Sequence, residues 1–124
     1  MAFSKAFTKE CLKAWKNESP AKYEKTWVKL HKGAPTDNGT AEAAGETTRK
    51  EATWGAITEG DPSFIELSNT PEWTNVSTAE TYKAISVWSA ATEGTCLGAG
   101  TLETEKTVAV GDNFKLTGCK VSSE

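Results

Sequence analysis

The sequence predicts a mainly β chain: an antiparallel β-sandwich of about six to eight short strands, preceded by one short N-terminal amphipathic α-helix. Three observations predict it. Apolar residues recur at spacings of three and four before Pro20 and at spacings of two after it. Gly, Pro, Asn and Asp clusters cut the later part into short runs. Eighteen threonines, mostly after residue 25, favour strand over helix there. At 124 residues the chain is one compact unit, read as an N-terminal anchor, residues 1–19, on a β-sandwich, residues 20–124.

Phe3, Phe7, Cys11, Ala14 and Trp15 fall on one helical stripe, with Lys5, Lys9, Lys13 and Lys16 on the other side. Ser4 is placed to cap the start, and Asn17-Glu18-Ser19-Pro20 ends the helix near Lys16. A helix this short is marginal alone, so its aromatic face must dock on its own sheet, a neighbouring subunit or a larger assembly. Thr26, Val28 and Leu30 then alternate with Trp27, Lys29 and His31, as in a half-buried strand. Residues 35–45 are rich in small and turn-forming types and read as an exposed loop. Residues 47–54 alternate again, a turn at Gly60-Asp61-Pro62 leads to Phe64-Ile65-Glu66-Leu67, and Asn69-Thr70-Pro71 breaks that run before Trp73. Residues 82–88 form the strongest strand, and a hairpin loop over residues 91–95 turns it back into a partner, residues 96–102. Val108-Ala109-Val110, the turn Gly111-Asp112-Asn113, and a run from Phe114 to Val121 complete the strands.

Charge is unevenly placed. Residues 1–32 hold eight lysines against three glutamates, whereas the remainder holds six basic residues against fourteen acidic ones. Such polarity steers the basic segment toward an acidic partner surface, including the body of a neighbouring copy. The basic residues there are all lysines and no nucleic-acid signature accompanies them, so nucleic acid is not the expected partner. No apolar run approaches the ~20 residues of a membrane span, and the opening residues lack the apolar stretch of a signal peptide. The expectation is synthesis in the cytoplasm and use without secretion, with no membrane contact.

Catalytic chemistry is sparse. His31 is the one histidine and has no acid beside it in sequence, so packing or surface exposure explains it better than a triad or a metal site. Pairs such as Glu103 with Glu105, or Glu59 with Asp61, come without any sign of the shaped cleft that a glycosidase needs. Asp37, Asp61 and Asp112 fall in turns, where hydrogen bonding to the backbone accounts for them. Cys11, Cys96 and Cys119 are widely spaced and read as small buried hydrophobes. No enzyme, cofactor or metal is expected. Of five tryptophans, most belong in the core, and one or two are available to anchor an interface or stack on a sugar.

Several segments, taken in order, resemble small tailed-phage virion proteins of the tail-fibre, minor-tail and head-decoration kinds. They are Met1-Ala2-Phe3-Ser4, the run from Trp27 through Ala34-Pro35-Thr36-Asp37 to Gly39, Thr48-Arg49-Lys50-Glu51-Ala52-Thr53-Trp54-Gly55, Leu67-Ser68-Asn69-Thr70, the run from Tyr82 to Gly94, and Lys106 to Phe114. The resemblance implies a structural role in the virion, in many copies and without turnover or cofactor. The first expectation is a capsid decoration or cement protein bound to the major capsid protein. A tail component is the alternative, and a carbohydrate-binding module comes third. Self-association is expected, a trimer being one closed form. Phe3, Phe7, Trp15, Lys5, Lys9, Lys13 and Lys16 are the candidate interface residues.

Overall fold

The computed structural model describes residues 2–19, 23, 25–35, 39–60, 64–117 and 120–122. The elements run β1 (Ala2–Phe3), α1 (Lys5–Lys13) with a 3-10 turn (Ala14–Lys16), β2 (Thr26–His31), β3 (Lys50–Ala52) and β4 (Phe64–Glu66). There follow β5 (Glu72–Trp73), β6 (Glu80–Trp88), β7 (Cys96–Val108), β8 (Phe114–Lys115) and β9 (Lys120–Ser122). Five strands form one antiparallel sheet in the order β1-β7-β6-β2-β3, and β4-β9 and β5-β8 form two-stranded ribbons. The mainly β antiparallel fold with one short N-terminal helix is the one the sequence predicts.

The strand faces follow from period two. Val28 pairs with Val87 and Leu30 with Ile85, so these apolar residues share one face of the sheet. Against it lies the β5-β8 ribbon, with Trp73 and Phe114 rings 5.9 Å apart and Phe114 5.2 Å from Tyr82. Val76, Leu67 and Leu116 complete this core. Strict alternation would put Tyr82 and Ile85 on opposite faces, yet both are in the core. A register shift between Tyr82 and Ala84 separates them, as Tyr82 faces Lys106 and Ala84 faces Thr101, and this irregularity re-aims Tyr82 inward. The buried Trp73 and half-buried Trp54 keep their polar edges satisfied: Trp73 Nε1 donates to the Thr48 carbonyl at 2.7 Å, and Trp54 Nε1 donates to Thr26 Oγ1 at 2.8 Å.

The second face of the sheet is covered as well, and here the structure departs from the expected exposed loop over residues 35–45. Residues 36–38 and Asp37 with them lie outside the described residues, as do Asp61 and Cys119. The described part of the loop turns back: Lys32 N donates to the Glu42 carbonyl, Ala44 N donates to the Leu30 carbonyl, and Gly39 and Ala44 are buried. Gly39 has φ +70°, and a Cβ there would meet Cys96 Sγ at 2.7 Å and Trp88 Cζ2 at 2.8 Å, so the approach needs glycine twice over. Small residues that look like flexible-loop composition are therefore what lets the loop lie close to the sheet.

The β6-β7 hairpin is expected and observed. Glu93 and Gly94 take positive φ, 55° and 76°. Arg49 fastens the hairpin, donating to the Ala90 and Glu93 carbonyls at 2.9 and 2.6 Å while its guanidinium stacks 3.9 Å from the Trp88 ring centre. Val108 ends β7 and does not start the expected separate strand, because residues 109–113 form the turn: Ala109 N donates to Asp112 Oδ2 at 2.9 Å and Gly111 has φ 90°. The anticipated role of Asp112 as a turn former is thus observed.

Candidate functional site

Helix α1 starts where its cap predicts. Ser4 Oγ accepts from Phe7 N at 3.1 Å, and Ser4 N donates to the Leu97 carbonyl of β7 at 2.9 Å. With β1 paired to β7 just before it, the first turn is fastened to the sheet at both backbone and cap. At the other end Asn17 takes φ 60°, Glu18 N donates to the Lys13 carbonyl, and the helix closes in a left-handed cap. The observed end at Lys16 matches the expected one, although the α-helical part stops at Lys13 and a tighter turn completes it.

The stripe expected to dock as a unit divides in two. Phe3 and Phe7 are half-buried, their ring centres 4.9 Å apart in an edge-on arrangement, and Phe7 lies 6.2 Å from Tyr23. These two candidates hold the helix to its own body. Trp15 is 90% exposed and Leu12 60% exposed. Cys11 is a free, exposed thiol, which corrects the reading of it as a buried hydrophobe, whereas Cys96 is buried as expected. The expected stripe of Phe3, Phe7, Cys11, Ala14 and Trp15 does not stay on one face: at about 100° per residue each step of four turns a further ~40°, so Cys11 and then Trp15 move away from Phe7, and the 3-10 turn at Ala14–Lys16 adds to the drift.

The lysines complete the outer face. Lys5, Lys9 and Lys16 are exposed, and Leu12 lies three residues after Lys9 and four before Lys16, so it sits within the basic face. Lys13 is half-buried, its Nζ 2.6 Å from Glu10 Oε2 in a helix-stabilising pair, and Lys16 Nζ lies 3.8 Å from Glu18 Oε2 in a looser, exposed one. Sequence reasoning missed Leu12, although its position among the lysines at helical spacing was the available signal. The outer face is thus a cationic surface with a leucine and an indole at its C-terminal end.

His31 makes the other chemically distinctive cluster. It is fully buried, with Nδ1 2.9 Å from the Ala41 carbonyl and Nε2 2.7 Å from Ser86 Oγ. A carbonyl only accepts, so Nδ1 carries the proton and Nε2 accepts from the Ser86 hydroxyl. Ser86 Oγ in turn accepts from Trp88 Nε1 at 2.7 Å. Desolvation holds the imidazole below its ordinary pKa. Ser86 is also fully buried. This chain of bonds pins the 41–44 segment to the sheet, which is the packing role the sequence favoured for His31.

A β-rich body with one cationic, partly apolar helix face turned outward defines a structural protein that offers a contact surface. The family model described as podophage GP4 fiber I protein gp80 matches residues 2–123, and the chain belongs to that family of phage structural proteins. No curated protein matches it.

Proposed function

We propose that the chain is a tail-fibre-type component of a tailed-phage virion, which acts by assembly and turns over no substrate. The observation that carries this reading is the family match across residues 2–123. It favours the tail alternative over the capsid decoration that the sequence put first, and it supports tail proteins, rather than the major capsid protein, as the partners. Geometry supports the same reading. The helix is fastened to the body through Ser4, Phe3 and Phe7, and its outer face keeps Leu12, Trp15, Lys5, Lys9 and Lys16 for contact. A surface of this kind gains from repetition, since several copies held together bind far more tightly than one. The number of copies per purified virion tests the assignment. A few copies, or a few rings of them, agree with a tail part; hundreds would return the protein to the capsid lattice.

A further inference from the structure

Two exposed apolar surfaces of opposite charge lie at opposite edges of the five-stranded sheet. The first is the helix face, where Leu12 and Trp15 sit among Lys5, Lys9 and Lys16, beside the β1 edge. The second lies beyond β3, the other edge strand. There Trp54 bridges Leu67 and Thr58 bridges Phe64, and β4 pairs with β9, so the 54–58 segment, β4 and β9 run side by side. Asn69 clips this hairpin to the edge, its Nδ2 donating to the Glu51 carbonyl of β3 at 3.0 Å. Continuing the Thr58–Phe64 register places Ile57 opposite Ile65. Ile57 is 73% exposed, Ile65 is half-buried, and Glu59, two residues after Ile57, is exposed.

Each surface supplies what the other lacks: leucine and indole among lysines on one, isoleucines beside Glu59 on the other. Five strands at ~4.8 Å spacing keep the two edges about 19 Å apart, so they do not meet within one copy. We propose that copies of this chain associate end to end, with Leu12 and Trp15 of one seated on Ile57 and Ile65 of the next and Lys16 and Lys9 facing Glu59. The net positive helix segment and the net negative body give this order of contact its direction. Because the two surfaces differ, the contact is heterologous: it closes into a ring where the rotation per copy completes a turn, and otherwise extends as a row. The inference rests on the chain being an assembling virion part, but it is tested on the isolated protein.

The experiment is sedimentation velocity of the full chain over a concentration series, with Trp15→Glu and Ile57→Lys as the variants. Both side chains are exposed, so circular dichroism and melting should match the parent. Wild type should form higher species, and each variant alone should weaken association by roughly thirtyfold, as loss of a central apolar anchor does. The decisive arm is their equimolar mixture. The intact hairpin surface of Trp15→Glu accepts the intact helix surface of Ile57→Lys, and the pair stops at a one-to-one dimer. Charge reversal gives an independent route: Lys16→Glu and Glu59→Lys each weaken association, and mixing them restores it beyond a dimer, because the native pair and the reversed pair both form and the two variants alternate along the assembly. A wild-type chain that stays monomeric overturns the proposal, as does a mixture with no dimer. Association lost in Trp15→Glu but untouched in Ile57→Lys also overturns it, since the helix would then meet another helix. A chain that labels the phage tail yet remains monomeric would sink this contact and leave the tail assignment standing.

Discussion

His31 couples stability to pH through one buried proton site. The folded state holds the imidazole neutral, between the Ala41 carbonyl and the Ser86 hydroxyl, with burial lowering its pKa and the nearby Lys29 adding to the effect. The unfolded chain protonates near 6.5, so between that value and the lower folded one the unfolded state binds more protons. Stability is therefore full well above the unfolded value and declines as pH falls through it toward the lower folded one. Thermal melts across that window should show a declining midpoint, and His31→Asn should be less stable at pH 7.5 but lose most of the slope. An identical slope in the variant would show that another group is responsible. Tyr82 gives a second residue-level expectation. Its ring is buried, its hydroxyl has no hydrogen-bond partner among the described residues, and burial pushes its pKa up to about 12. Tyr82→Phe removes an unsatisfied polar group and keeps the ring contact with Phe114, so urea unfolding should show a gain of about 1 kcal/mol. A loss of that size would mean that the hydroxyl is satisfied in solution.

At the scale of elements, the helix separates into an inner and an outer side, and substitutions should report them separately. Phe7→Ala removes a half-buried ring from its contacts with Phe3 and Tyr23 and should cost about 1–2 kcal/mol, less than the ~3 of a fully buried phenylalanine. Trp15→Ala should change stability by less than about 0.5 kcal/mol, the level of an exposed site. Chemical denaturation of both variants checks the division, and equal costs would mean that Trp15 packs on the body. The local signals of this region were legible in the sequence: the Ser4 cap, the stop near Lys16, and the alternation that puts Val28 and Leu30 on one strand face. Long-range contacts were not. Strand β1 is two residues long and exists only because β7 is there to pair with it. Residues 39–45 carry the composition of an exposed loop, and it is the presence of Trp88 and Cys96 beside Gly39, and of Thr78 beside Gly45, that explains the glycines there. The outward position of Trp15 follows from the steady drift of a four-residue repeat around the helix, which matching spacings one at a time conceals.

For the whole molecule, the charge asymmetry legible in the sequence becomes partly a spatial one: four of the eight lysines of residues 1–32 lie on the helix and its closing turn at one edge of the sheet, whereas Lys25, Lys29 and Lys32 lie on or beside β2. Assembly through that face should weaken with added salt, since exposed charges more than about 8 Å apart are screened at physiological ionic strength and more strongly above it. The core has no such dependence. Trp73→Ala, which empties the space between the ribbon and the sheet, should cost about 3–5 kcal/mol at any salt concentration. Virion class was readable from ordered short motifs, whereas the placement on the particle was not, since a docking face of lysines, Leu12 and Trp15 suits a head lattice and a tail alike.

Where the chain sits on the particle is the most direct test of the account. Cryo-electron microscopy of purified virions carrying a compact tag on the chain should show the tag density confined to the tail, with Trp15→Glu particles lacking it. Tag density spread over the head lattice, or particles complete without the protein, would contradict the tail-fibre reading.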